Sequence, residues 1–299
     1  MAKGKPLVIY HAGCFDGFCA AWLMRQAFPD ADFHAAHYGT EPPPAAMDKD
    51  RPLYVVDFSY PGDVMFKLAA LRHEEMVVLD HHKTARDALD GLEIELLTNN
   101  CGDALSVTFD MGKSGGRLAW EYLWAKGLLP RDWMARYGFR DAPWLVDFSE
   151  DRDLWRHALQ DTREVNAALR SFPLDFEVWD GLLLIRHQAG SVWEDFVSQG
   201  AAILRAERQI IANHVKHARE VDMDGHKILA VNATVLFSEI AGELAAGRPF
   251  GACWFVRFDG ASVWSLRSRE GGVDVSEIAK AHGGGGHKQA AGFEVAAVA

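Results

Sequence analysis

Acidic and imidazole side chains follow three short apolar runs of the chain. The runs LVIY, YVV and MVVL lead into His11, Asp57 and the tripeptide Asp80-His81-His82. Short apolar runs predict buried strands, and ligand sites in open α/β sheets form outside the carboxyl ends of strands. Imidazole and carboxylate donors together suit Mn²⁺ or a similar divalent ion, whereas oxygen-only sets suit Mg²⁺ and thiolate sets suit zinc. The sequence therefore predicts a divalent-metal site at one edge of a sheet.

The turn after the first predicted strand adds a carboxylate, Asp16, close to His11. Gly13 and Gly17 allow the backbone to bend there. A single histidine at a strand end would most simply be a hydrogen-bonded structural residue, but donor groups at several strand ends favour the metal site. Taken alone, Asp57 could equally be the N-cap of a helix predicted over residues 63–71.

An acidic run, EDRDLW, contributes Asp151 and Asp153 as further candidate ligands. One interpretation is a solvated acidic turn that caps the next helix, since charge runs are commonly exposed. The other interpretation adds one more carboxylate to the metal site, with Trp155 packed beneath it. The sequence does not choose between the two aspartates.

Strand and helix signals alternate through the first half of the chain, which predicts βαβ units and a mostly parallel sheet. Residues 192–220 are polar, with apolar residues at helical spacing, which predicts a long helix. The strand-like runs ILAV, ACWFV and SVWSL follow it. The predicted fold class is α/β, with a catalytic domain over 1–190, a connecting helix over 191–220 and a smaller α/β domain over 221–299.

A run of four glycines followed by His287 and Lys288 lies near the end of the chain. Glycine lets the backbone approach a ligand closely, and successive N–H groups can form an anion-binding nest. Arg267, at the end of a predicted strand, would add positive charge. The alternative is a flexible surface loop, which is the commoner fate of a glycine run. The candidate substrate-binding residues are Arg267, Gly284, Gly285, Gly286, His287 and Lys288.

Composition excludes several classes of partner. The chain of 299 residues is 49% hydrophobic, so it can bury a sizeable core. No run approaches the ~20 apolar residues of a membrane span, and a net charge of −11 argues against binding long duplex nucleic acid. The four cysteines lie far apart and form no CxxC motif, which favours reduced thiols and a cytoplasmic location.

Together these features resemble the DHH phosphoesterase superfamily with a C-terminal DHHA1 domain, over nearly the whole chain. The tripeptide at 80–82 matches the motif that names the superfamily. The stretch 11–17 resembles the first motif, Asp57 the second, and the run DRDLW the fourth. The glycine run with His287, followed by AAGF, resembles the DHHA1 signature.

The resemblance implies a Mn²⁺-dependent phosphoesterase with one or two ions, for which Mg²⁺ or Co²⁺ could substitute. It implies that His11 binds one ion, that Asp16 binds the other, and that Asp57 bridges both. Asp57 and His82 would be catalytic, with His82 facing the substrate phosphate, and the candidate residues of the last domain would hold the rest of the substrate. The implied metal ligands are His11, Asp16, Asp57, Asp80, His81 and Asp151, with Asp153 as the alternative to Asp151.

The first motif departs from the superfamily pattern. Members usually have a second aspartate before the one at position 16, whereas this chain has Gly13 and Cys14. The first ion would then keep only His11 and Asp57, unless the thiolate of Cys14 joins them.

We expect metal-assisted hydrolysis of a phosphodiester in a short oligonucleotide or a small nucleotide. Two alternatives stay open: hydrolysis of a phosphoanhydride such as pyrophosphate or polyphosphate, and nucleotide binding without catalysis. The expected partner is a short nucleic acid or nucleotide, and a homodimer is compatible with the sequence.

Overall fold

The chain divides into two compact units, Met1–Ile203 and Leu204–Ala299. Each unit contains one sheet, of five strands in the first and six in the second. Among the helices described, none has the length and apolarity needed to cross a bilayer. The computed structural model describes residues 4–71, 74–91, 105–137, 141–188 and 190–296.

Five parallel strands form the sheet of the first unit, which confirms the predicted α/β class with a mostly parallel sheet. The strands are β1 (Leu7–His11), β2 (Asp32–Ala36), β3 (Leu53–Val56), β4 (Met76–Asp80) and β5 (Leu105–Phe109). Their order is β2-β1-β3-β4-β5. The order reverses between β1 and β3, and a ligand crevice opens at such a switch point in doubly wound sheets.

Helices cover both faces of this sheet. The central strands β3 and β4 are buried along their whole length, because alternate side chains enter a core on each face. The described helices of the unit are α1 (Phe15–Ala27), α2 (Gly62–Ala70), α3 (Lys83–Leu89), α4 (Gly115–Ala125), α5 (Arg131–Tyr137), α6 (Trp144–Asp153), α7 (Thr162–Leu169) and α8 (Phe176–Leu183), with 3-10 turns at Pro44–Met47 and Leu184–His187.

The carboxyl ends of the parallel strands lie along one edge of the sheet. Asp57 directly follows β3 and adopts a left-handed backbone, with φ of 53°, which non-glycine residues rarely do. Helix α2 begins at Gly62 with Pro61 as its N-cap. Asp57 is therefore not the cap of that helix, and its side chain is available at the sheet edge.

The second unit contains a mixed six-stranded sheet with helices packed on both faces. Its strand order is β10-β11-β9-β8-β7-β6. One face packs on Ile240 and Leu244, and the other on Val275 and Ala279. The elements are β6 (Arg219–Met223), β7 (His226–Asn232), α10 (Phe237–Leu244), β8 (Gly251–Val256), β9 (Ser262–Arg267), α11 (Val275–Ala281), β10 (Gly285–His287) and β11 (Ala290–Val295).

Helix α9 (Val192–Lys216) leads into the second unit and is shorter than predicted. The expectation that the helix reaches residue 220 is wrong, because Arg219–Met223 is a strand paired antiparallel with β7. Asp224 and Gly225 form the turn between these strands, with φ of 51° and 79°. Asp-Gly between two strands is a strong signal for a two-residue hairpin, and it identifies this strand from sequence.

Candidate metal centre

Asp57 lies at the centre of a cluster formed where β1, β3 and β4 end. Its side chain is 1% exposed, and its Oδ1 atom is 3.0 Å from Nε2 of His81. Its Oδ2 atom is 3.7 Å from Nδ1 of His11. Asp57 belongs to three groups whose donor atoms lie within 4.8 Å of one another: one with His11 and Cys14, one with Asp16 and His81, and one with Asp80 and His82. The sheet thus brings together residues from distant parts of the sequence.

Three carboxylates surround the buried side chain of His81. Their nearest oxygens are Asp57 Oδ1 at 3.0 Å, Asp153 Oδ2 at 3.5 Å and Asp16 Oδ2 at 3.6 Å from Nε2. Burial lowers the pKa of His81, but the hydrogen bond to Asp57 and the nearby negative charges outweigh it and raise that pKa to about 10. Burial and the charges of Asp57 and Asp153 raise the pKa of Asp16 well above its usual value. A bound dication would relieve this excess of negative charge.

The first turn of α4 holds Asp16. The backbone N–H groups of Gly115 and Gly116 donate to its Oδ2 and Oδ1 atoms, at 2.5 and 2.9 Å. A helix N-terminus favours a negative charge. Ser114 caps this helix by accepting a 3.2 Å hydrogen bond from the N–H of Arg117. The start of α4 is thus part of the site.

Crowding requires glycine at position 115 and disfavours a side chain at position 116. A Cβ on Gly115 would lie 2.5 Å from Cβ of Asp57, and one on Gly116 would lie 3.0 Å from Oδ1 of Asp16. The first of these distances is shorter than real Cβ contacts allow. Helix α4 can therefore reach the carboxylates because its first residue carries no side chain.

The two candidate aspartates near the end of α6 have different surroundings. The oxygens of Asp151 accept backbone N–H groups, from Ala158 at 2.9 Å and from Leu159 at 3.2 Å. Oδ2 of Asp153 is buried, makes no hydrogen bond within the described ranges, and lies 3.5 Å from Nε2 of His81. The geometry thus places Asp153 in the cluster. Asp151 instead holds the backbone that follows α6 through these hydrogen bonds.

Two expectations for the acidic run are wrong. Residues 150–153 form the last turn of α6 and do not cap the next helix. Trp155 is not packed beneath the carboxylates, since its side chain is 47% exposed and meets the ring of His157 edge-on, with centroids 4.9 Å apart. The chain turns at Trp155, whose φ is 54°, and this turn directs the indole away from the cluster.

Asp80 is fully buried and positions the two histidines that follow it. Its Oδ1 atom accepts from the backbone N–H of His81 at 2.7 Å, and from the backbone N–H and Nδ1 of His82 at 3.1 and 2.7 Å. Its Oδ2 atom accepts from Oγ of Ser59 at 2.7 Å. Because a carboxylate only accepts, Nδ1 of His82 carries a proton. These four bonds favour a positioning role for Asp80 over direct ligation of a metal.

Buried polar atoms without hydrogen bonds indicate where a cation fits. In the part of the chain that the structure describes, such atoms include Nδ1 of His11, Oδ2 of Asp57 and Oδ2 of Asp153. Buried polar atoms of native proteins normally have a partner, because leaving them unpaired costs free energy. Imidazole and carboxylate donors fit Mn²⁺ and related ions. The residues present therefore fit one or two divalent cations.

Cys14 lies in the same cluster as His11 and Asp57. Burial, together with the charges of Asp57, Asp153 and Asp16, raises the pKa of its thiol well above the usual value. A bound cation would oppose that shift by stabilising the thiolate. Cys14, Cys19 and Cys253 are free thiols, and Cys101 lies outside the described residues.

The predicted substrate-binding residues lie in the second unit. Arg267 of β9 and His287 of β10 both pair with Ala290 of β11, on its two sides, so they lie at the same end of the sheet. Lys288 follows His287 in the turn to β11. The guanidinium of Arg267 donates to Oγ of Ser238 at 2.6 Å. These positive side chains are thus grouped within one unit.

The glycine run packs closely against β11. Strand β10 begins at Gly285, and the N–H of Gly284 already donates to the carbonyl of Ala279 at 2.8 Å. A Cβ on Gly284 or Gly286 would clash with a carbonyl oxygen of β11. Close pairing of β10 with β11 is therefore the physical reason for glycine here.

No protein-family model matches the chain. The chain is 26% identical over 315 residues to the uncharacterized protein R106 of Acanthamoeba polyphaga mimivirus, and the match covers 96% of this chain. The chain spans 66% of the length of that relative.

Two solved structures share the architecture. The DHH domain of a protein described as a member of a family of ribosomal proteins superposes with a TM-score of 0.55 over 96% of this chain and 82% of that chain, at 14% identity. RecJ from Thermus thermophilus, solved in complex with Mn²⁺, superposes with a TM-score of 0.51 over 97% of this chain and 49% of that chain, also at 14% identity. The chain therefore has the fold of DHH-domain proteins.

Proposed function

We propose that the protein is a divalent-metal-dependent phosphoesterase that hydrolyses phosphodiester bonds in short oligonucleotides or small nucleotides. The observation that carries this proposal is the position of Asp57. Its carboxylate is buried, has an oxygen without a hydrogen bond, and is shared by three groups of donor atoms. Such a carboxylate suits the centre of a two-metal phosphoryl-transfer site. The likeness in fold to RecJ, whose structure contains Mn²⁺, supports the proposal.

Two sets of side chains would hold the ions. His11 and Asp57 would bind the first, whereas Asp16, His81 and Asp153 would join Asp57 at the second. When bound, such ions polarise phosphoryl oxygens and lower the pKa of water toward ~7. We expect Mn²⁺ because imidazole and carboxylate donors are mixed in this site, with Mg²⁺ or Co²⁺ as substitutes.

His82 would contact the substrate phosphate. The hydrogen bond of its Nδ1 atom to Asp80 fixes the ring, and in the doubly protonated ring Nε2 would donate to a phosphoryl oxygen. Asp80 is itself held by Ser59, so the ring orientation is set before substrate arrives. Preorganised donors of this kind stabilise charge that develops in the transition state.

The second unit would bind the part of the substrate that does not react. Arg267, His287 and Lys288 provide positive charge and hydrogen-bond donors at one end of its sheet. A net charge of −11 disfavours long nucleic acids, which supports a short or small substrate.

A reducing compartment, such as the cytoplasm, is also part of the proposal. The free thiols of Cys14, Cys19 and Cys253 support it, because cysteines of secreted proteins are commonly paired in disulfides.

Product analysis over a panel of substrates tests the proposal. The Mn²⁺-loaded protein should convert a linear or cyclic dinucleotide to mononucleotides and leave pyrophosphate and polyphosphate intact. Asp57→Asn, which keeps the shape of the side chain, should abolish the reaction. Cleavage of pyrophosphate or polyphosphate alone would show that the protein hydrolyses phosphoanhydrides and not phosphodiesters. Nucleotide binding without turnover would show that the protein is not a hydrolase.

A further inference from the structure

A thiol lies among the donors of the first metal position. Donor atoms of His11, Cys14 and Asp57 are all within 4.8 Å of one another. His11 ends β1, and Cys14 precedes α1 as its N-cap, with an extended backbone at φ −106° and ψ 136°. Gly13 links them with a φ of 65°, a conformation that favours glycine. The turn thus brings the thiol back toward the end of the strand.

Two neighbours of this thiol independently indicate a cation. Oδ2 of Asp57 is almost fully buried and makes no hydrogen bond in the described part of the chain, and the same holds for Nδ1 of His11. An ionised carboxylate oxygen left in this state is expensive. A cation bound by these atoms lies within reach of the sulfur of Cys14.

We propose that Cys14 binds this cation as a thiolate, which makes the first position a mixed nitrogen, oxygen and sulfur site that prefers Zn²⁺ or Co²⁺ to Mn²⁺. Thiolate ligands select zinc and similar ions, whereas carboxylate-rich sets suit Mn²⁺ and Mg²⁺. The second position, with Asp16, Asp57, His81 and Asp153, has no sulfur ligand and keeps a preference for Mn²⁺. On binding, the sulfur–metal bond forms and the thiol proton passes to solvent, with no change of oxidation state.

This inference rests on the proposed function, in which the cluster holds metal, but its test does not use turnover. Full-length protein is stripped with a chelator and titrated with Co²⁺ while its absorption spectrum is recorded. A thiolate ligand adds a sulfur-to-cobalt charge-transfer band in the near ultraviolet. We expect this band in the unmodified protein, and we expect Zn²⁺ to remove it at much lower concentration than Mn²⁺.

Two variants remove the sulfur and one provides a matched control. Cys14→Ser should lose the band while it keeps the fold, because serine is a favoured N-cap residue, and Cys14→Ala should lose it as well. Cys19→Ala removes another thiol of α1, one that is fully buried in the core, and should keep the band. Circular dichroism of the metal-free proteins checks that each variant is folded.

The Cys14→Asp variant should reverse the metal preference of the first position. It should lose the charge-transfer band and bind Mn²⁺ at the first position about tenfold more tightly than the unmodified protein, because even changes in the groups that support a metal ligand alter affinity by that much. Saturation with Co²⁺ without the band, or a band that persists in Cys14→Ser, would overturn the thiolate assignment. If the thiolate assignment fails but the protein still cleaves a phosphodiester, the proposed function stands. If the charge-transfer band is present but no substrate is cleaved, only the proposed function is refuted.

Discussion

Gly115 and Asp57 approach so closely that a methyl group on Gly115 would lie 2.5 Å from Cβ of Asp57. We predict that Gly115→Ala pushes α4 away from the cluster and lowers kcat/KM about a hundredfold, as a displacement of ~1 Å in an active site can do. Steady-state kinetics on a dinucleotide measures the effect. Gly181→Ala in α8 is the matched control, because a Cβ there meets nothing within 4 Å, and it should keep the normal rate. Normal turnover in Gly115→Ala would show that α4 does not position the carboxylates of the proposed metal site.

Replacing Asp151 and replacing Asp153 by neutral asparagine should change the stability of the metal-free protein in opposite directions. Burial raises the pKa of Asp153, so its ionised form destabilises the metal-free fold at neutral pH. We predict that Asp153→Asn raises the melting temperature of the metal-free protein and reduces the further rise caused by Mn²⁺.

Asp151→Asn is the companion variant. It weakens the acceptor for the N–H groups of Ala158 and Leu159, so it should lower the free energy of unfolding by about 1–3 kcal/mol. Mn²⁺ should raise the melting temperature of this variant by as much as it raises that of the unmodified protein. Thermal unfolding with and without Mn²⁺ gives both quantities, and the reverse pattern would make Asp151 the ligand.

Metal removal should abolish activity and lower stability together. An ion that binds only the folded state stabilises it by about 2.7 kcal/mol at a hundred times its Kd. We predict that chelated protein is inactive, melts at a lower temperature, and regains more activity with Mn²⁺ than with Mg²⁺, because the proposed ligands His11 and His81 would bind through nitrogen. Full activity in excess chelator would show that the reaction does not require a metal ion.

Changes in the second unit should act on binding more than on chemistry. Loss of a contact that is equal in the ground state and the transition state raises KM and leaves kcat intact. We predict that Lys288→Ala raises KM for a dinucleotide several-fold at nearly constant kcat.

The control for this variant is Arg257→Ala, which removes an exposed arginine that pairs with Asp259 and Glu294 of the same unit. Both KM and kcat should be normal in this protein. A large fall in kcat with unchanged KM for Lys288→Ala would place Lys288 in the chemical step.

The strands that carry the site were predictable because parallel strands buried on both faces are continuous apolar runs. YVV and MVVL are such runs, and each ends in a donor residue. The switch-point rule then places those ends along one edge. These features are local in sequence or follow from chain order alone.

Contacts between distant residues were not predictable in the same way. The N–H groups of Gly115 and Gly116 meet Asp16 across about a hundred positions, and no local pattern records that pairing. The distinction between Asp151 and Asp153 also depends on packing, because residues two apart on a helix point in different directions. Only the position of α6 against the sheet decides which carboxylate reaches His81.

Sharing of Asp57 has an evolutionary consequence. Cys14 belongs to one of the donor groups that contain Asp57, and Asp16 belongs to another. In the proposed two-ion centre, a single substitution at position 14 would therefore exchange the ion preferred at one position while the other position keeps its own, so the two halves of the centre would diverge separately. A substitution at position 57 has no such freedom, since it removes a donor from both halves at once.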